Sequence, residues 1–216
     1  MKTAFVAGIL LGIIAALGAA RFYPWVDHPR SASRTTVLHN GGRVEDFLIR
    51  FPVDRISNAG TAQMGLRANA FPAGVDLPEE FAADPMLVEH FKLRNIDGDV
   101  IGVAARHASV TDAEATTAWA LTIPSRGTLR LRGAAAPGVL DRELAAAGRV
   151  DGQAWSGDLE LAIGPEGPDS GRVTGGSHEF AGLIGTYSED WLISGVSQAG
   201  ELRGTINLHT TAEAGG

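Results

Sequence analysis

The chain is 216 residues long and carries 18 Lys and Arg against 25 Asp and Glu, a formal net charge of −7, with no cysteine. That acidic balance argues against nucleic acid as a partner, and the missing thiols exclude disulfides, thiolate metal sites and cysteine catalysis. Its 28 glycines are spread along the whole length, the punctuation expected of many short strands.

Residues 4–20, AFVAGILLGIIAALGAA, form an unbroken apolar run that ends at Arg21 and the aromatic group Phe22, Tyr23 and Trp25. As a helix rising ~1.5 Å per residue it covers roughly 25 Å, close to the thickness of a bilayer core. Lys2 before the run and Gly18-Ala19-Ala20 at its end also fit a cleavable signal peptide. The aromatic residues fit a retained anchor, and a signal-anchor transmembrane helix over residues 1–25 is the expectation. Gly8, Gly12, Ala16 and Ala20 recur every fourth residue and leave one side of that helix without bulk, a face for packing on another membrane helix. The expected partners are therefore the lipid bilayer and a membrane protein reached through this helix. The expected location is a bacterial inner membrane, single-pass, with the soluble domain in the periplasm.

Residues 26–36 are polar and unpatterned and read as a juxtamembrane tether. His39-Asn40-Gly41-Gly42 signals a tight turn. A first strand follows at 44–51, with Phe47, Ile49 and Phe51 on one side. From Pro52 to Pro85 the periodicity weakens, apart from a short helix signal at Asp76-Leu77-Pro78-Glu79-Glu80-Phe81. Residues 86–94 and 100–107 then form a hairpin about Asp97-Gly98. Asn95, Asp97 and Asp99 also resemble the start of a calcium loop, but its remaining oxygen ligands are missing.

Thr117, Trp119, Leu121 and Ile123 alternate along the next strand. Pro124-Ser125-Arg126-Gly127 turns the chain, and on its return Leu129 and Leu131 face inward while Arg130 and Arg132 face out. A helix is expected at 139–147, stopped by Gly148, then a strand at 159–163. In the last strand, 201–209, Leu202, Gly204, Ile206 and Leu208 point inward and Arg203, Thr205, Asn207 and His209 outward. The fold class is mainly β. A closed antiparallel β-barrel over 37–210 removes exposed edges, with a β-sandwich as the alternative and a flexible tail at 211–216.

Gly175-Gly176-Ser177-His178-Glu179-Phe180-Ala181-Gly182-Leu183-Ile184-Gly185 resembles the GG-T-G-x-F-x-G-A-x-G segment of allene oxide cyclase-like and dirigent-like β-barrels. His178 stands where that pattern has glycine and Leu183 where it has alanine. The resemblance implies a closed barrel with a mostly apolar interior, and it carries over no catalytic residue.

The six histidines, at 28, 39, 90, 107, 178 and 209, show no metal-ligand spacing, so neither a metal nor a cofactor is expected. Gly195-Val196-Ser197-Gln198-Ala199 lacks the last glycine of a nucleophile elbow. The candidate ligand-binding set is His90, Lys92, Arg94, Arg106 and Trp119. Were these inside the barrel they would hold an anionic or amphipathic ligand; were they outside, Phe91 and Leu93 would be core and the basic residues solvated. Glu189, Asp190 and Trp191 leave a rim site open. Three functions follow: a membrane-anchored, non-enzymatic accessory subunit of a larger assembly, a lipocalin-like binder of a small apolar molecule, or an isomerase or cyclase acting on a lipid-derived substrate. The last requires at least two ionisable groups within the barrel.

Overall fold

The computed structural model describes residues 36–37, 42–60, 86–110, 115–135, 138–162 and 171–215. The elements in chain order are β1 (Thr36–Val37), β2 (Arg43–Phe51), β3 (Arg55–Gly60), β4 (Met86–Asn95), β5 (Val100–Val110), β6 (Ala115–Ile123) and β7 (Gly127–Ala135). They continue with α1 (Val139–Ala146), β8 (Trp155–Ala162), β9 (Gly171–Gly176), β10 (Leu183–Val196) and β11 (Leu202–Ala214). Eight of the strands form a ring in the order β2, β11, β10, β9, β7, β6, β5, β4, every neighbouring pair antiparallel. Phe47 opposite Asn95 and Leu48 opposite Arg94 join β4 back to β2, which closes a barrel and sets the sandwich aside. β3 extends the sheet from β4, and β8 lies along the later part of β10.

The strands form where apolar side chains alternate, because one side of each strand then meets a dry interior. Hairpins fall at the sequence signals. Gly98 takes φ 94 in the β4–β5 turn, and Ser125 and Gly127 take φ 68 and 114 in the β6–β7 turn. In β10 and β11, Gly185 and Gly204 stand where a Cβ would collide with the Thr211 and Leu192 carbonyl oxygens respectively, so two coiled strands approach closely there. The helix ends as expected, Gly148 adopting φ 87 after it, and Leu144 joins the core.

Several elements differ from expectation: β3 forms within the stretch read as irregular, and β5 runs past residue 107 to Val110. β8 begins at Trp155, four residues ahead of the sequence reading, because Gly157 and Asp158 interrupt its pattern. β11 continues through Ala214, so residues 211–214 are barrel wall instead of tail; Ala212 pairs with both Arg43 and Gly185. The expected transmembrane helix with its Gly8, Gly12, Ala16 and Ala20 face, the turn at 39–41 and the short helix at 76–81 all lie outside the described residues. Among the described residues no helix is long and apolar enough to cross a membrane.

Large rings occupy the interior. Phe51 meets Phe91 edge-on at 5.1 Å and stacks on Trp191 at 5.6 Å, and Phe91 lies 6.2 Å from Trp119, a chain of aromatics drawn from β2, β4, β6 and β10. Phe47, Ile49, Phe91, Leu93, Leu121, Ile206 and Leu208 have 0 % exposure. Together with the rings they form one continuous buried cluster along the inner side of the strands.

Candidate functional site

Three carboxylates interrupt the inward, apolar register: Glu45 in β2, Glu89 in β4 and Glu189 in β10, each buried. A charge in a dry interior persists only with partners, and the three are satisfied in different ways.

Glu189 accepts hydrogen bonds from neutral donors. Trp119 Nε1 donates to Oε1 at 2.7 Å, Tyr187 Oη to the same oxygen at 3.3 Å, and Trp191 Nε1 to Oε2 at 3.1 Å. Burial pushes the Glu189 carboxyl above the usual range, against the pull of the Arg106 charge and these three bonds. Burial and the Glu189 charge together push the Tyr187 hydroxyl up as well, so it stays protonated.

Glu89 receives two guanidinium groups. Arg55 Nη2 lies 3.1 Å from Oε1 and Arg106 Nη1 lies 3.1 Å from Oε2. Both guanidinium groups lie over aromatic rings, Arg55 5.4 Å from Phe51 and 6.0 Å from Phe91, Arg106 5.8 Å from Trp119 and 5.1 Å from Trp191. These rings are the ones that fill the barrel, so the packed core sets the pose of each cation. Arg106 thus links Glu89 to the tryptophans that bind Glu189. The buried Nε atoms of Arg55 and Arg106 find no acceptor among the described residues.

At the other end Arg126, from the β6–β7 turn, grips Glu45 with two bonds of 2.7 and 2.9 Å and reaches Glu179 at 3.2 Å. Arg43 adds a 3.0 Å pair to Glu179, and the Arg126 guanidinium covers Phe180 at 4.9 Å. The Glu45 and Glu179 carboxylates outweigh the burial of the Arg126 guanidinium and strengthen its hold on its proton.

Arg106 and Trp119, paired in register across β5 and β6, are brought together inside the barrel. His90, Lys92 and Arg94 are not with them: they stand on the outer side of β4, because Phe91 and Leu93 take the inner side at 0 % exposure. His90 Nδ1 contacts Ser57 Oγ at 3.0 Å, Lys92 is exposed, and Arg94 binds Asp54 through bonds of 2.7, 2.8 and 3.0 Å. Glu189 and Trp191, open to a rim site on sequence alone, lie within the core, while Asp190 faces out and pairs with His209 Nε2 at 2.9 Å. Asn95 closes the β4–β5 turn by accepting the Asp99 N–H at 2.8 Å, and Ser197 Oγ accepts the Glu201 N–H at 3.0 Å in the β10–β11 turn. Among the described residues no cluster of three or more His, Asp or Glu is placed to hold a metal ion.

The sequence reading missed Glu89, Arg55 and Tyr187. Glu89 carried a usable signal, since it shares the inward register with Leu87, Phe91 and Leu93. No family model matches the chain, and no curated protein matches it in sequence.

Proposed function

We propose that the chain is a membrane-tethered, non-enzymatic accessory protein, with residues 1–25 as a helix in a bacterial inner membrane and the barrel as a rigid body on the periplasmic side. The observation that supports this reading is the chain of buried rings, Phe51, Phe91, Trp119 and Trp191, which stand inside the barrel where a lipocalin-like carrier would hold its cargo. The isomerase reading requires ionisable groups within the barrel, and Glu89 and Glu189 meet that condition. Both oxygens of each already accept a hydrogen bond, and both residues are 2 % exposed, an arrangement that favours structure over proton transfer. The lateral partner is a membrane protein that packs on Gly8, Gly12, Ala16 and Ala20.

Affinity purification of the full-length chain from gently solubilised native membranes tests this. The wild type is expected to bring down a stoichiometric membrane protein, and a variant carrying Gly8→Leu, Gly12→Leu and Ala16→Leu to lose it. Recovery of a free monomer in both cases would overturn the accessory role.

A further inference from the structure

At the Glu89 end the ion pairs among the described residues leave guanidinium donors over, although the Glu189 carboxyl also feels the Arg106 charge. Two guanidinium groups, each with a full positive charge and five N–H donors, share one carboxylate and give it one ion pair each. Glu189, which feels the Arg106 charge, has both oxygens bonded to Trp119, Trp191 and Tyr187 and makes no hydrogen bond to Arg106 among the described residues. Each guanidinium thus keeps donors without an acceptor among the described residues, the buried Nε of each included. The side chains of Arg55 and Arg106 retain 19 % and 13 % exposure against 3 % for Glu89, so part of each side chain reaches solvent although both Nε atoms are buried. Their planes are held over aromatic rings, which leaves in-plane approach along the N–H directions for a planar or tetrahedral oxyanion.

We propose that Arg55 and Arg106, bridged by Glu89, form a binding site for the oxyanion of a small molecule, a carboxylate or a phosphate group. The site belongs to the end of the barrel that holds the β2–β3 turn. Glu89 is its internal counter-ion: it keeps the two cations together and competes with the ligand for their donors. The inference stands apart from the membrane-tether reading, because it uses barrel residues alone.

The test is isothermal titration of the full-length protein in a non-ionic detergent at fixed ionic strength, with inorganic phosphate in one series and benzoate in the other. Saturable binding of either supports the site, and the anion that binds more tightly identifies the source of the oxyanion. Arg55→Gln and Arg106→Gln are each expected to weaken binding by about tenfold, the loss of one charge-assisted contact. Glu89→Gln removes the competitor and is expected to tighten binding severalfold, an outcome that a merely structural Glu89 would not produce. If an arginine variant does not fold, the wild type and Glu89→Gln still decide the matter. No saturable heat with either anion, or equal affinity in the wild type and all three variants, would overturn the proposal.

Discussion

The two ends of the barrel use the same residue types to opposite effect. At one, Arg126 and Arg43 face Glu45 and Glu179, two cations with two anions, and the central Arg126–Glu45 pair is bidentate with both partners under 5 % exposed. At the other, Arg55 and Arg106 share Glu89, and two buried Nε atoms go without an acceptor among the described residues. A balanced buried network holds a fold in one arrangement, because any break strands a charge. An unbalanced one leaves donors over, and it is on these that the proposed oxyanion site rests.

The largest effect is expected at the balanced end. Arg126→Ala leaves Glu45 buried and deprived of its bidentate partner, and urea denaturation should show a loss of about 3–5 kcal/mol. Arg106→Gln leaves Glu89 with Arg55 and should cost only about 1–2 kcal/mol. Equal losses in the two variants would break the comparison.

Asp54 sharpens it next. Its side chain is fully buried in the β2–β3 turn, where it binds Arg94 and accepts the Arg50 N–H at 2.9 Å, and so positions Arg55, the next residue. Burial alone would raise its carboxyl, but the hydrogen bonds from Arg94 and the Arg50 backbone, with the charges of both arginines, outweigh that and hold it below the usual range. A depressed acid contributes stability that is fully present above the unfolded pKa of ~3.9 and is lost as pH falls through the folded value. Asp54→Asn is therefore expected to cost about 2–3 kcal/mol at neutral pH, with the gap to wild type closing in acid.

Glu189 has the opposite sign. Its carboxyl is raised, so the folded state binds the proton more tightly, and wild-type stability falls as pH climbs from the ordinary carboxylate range through the raised value. Glu189→Gln should cost about 1–2 kcal/mol at low pH, since an amide nitrogen must face one indole or phenol donor, and this cost should shrink as pH rises. Stability curves of both proteins between pH 4 and 8 would show it, and parallel curves would contradict it.

His209 supplies the smallest effect, away from both ends. It sits between Asp46 at 2.6 Å and Asp190 at 2.9 Å on the outer wall, with side-chain exposures of 37–44 %. His209→Ala should move the urea midpoint by less than about 1 kcal/mol, because solvent screens such pairs.

The barrel was legible in the sequence because its signals are local. Alternation in β2, β6 and β11 separated the two faces, and Asp97-Gly98 and Arg126-Gly127 marked the turns. Closure through Phe47 and Asn95 was an inference from edge avoidance, since those residues lie far apart in the chain. The site was half legible. Arg106 and Trp119 were singled out, but they were grouped with His90, Lys92 and Arg94 because clustered basic residues draw attention, whereas the fold sorts residues by register. The more telling feature was a lone acid in an apolar row, at Glu45, Glu89 and Glu189 alike. Arg55 could not have been found that way, for its place beside Glu89 depends on β3 pairing with β4, with Arg55 set opposite Phe91.

The most direct measurement is the set of arginine Nε–H resonances of the wild-type protein as inorganic phosphate is added at constant ionic strength. A balanced end and an unbalanced end require Arg55 and Arg106 to shift together and saturate while Arg126 stays still. If the three move alike, or none moves, the two ends are equivalent and the oxyanion site does not exist.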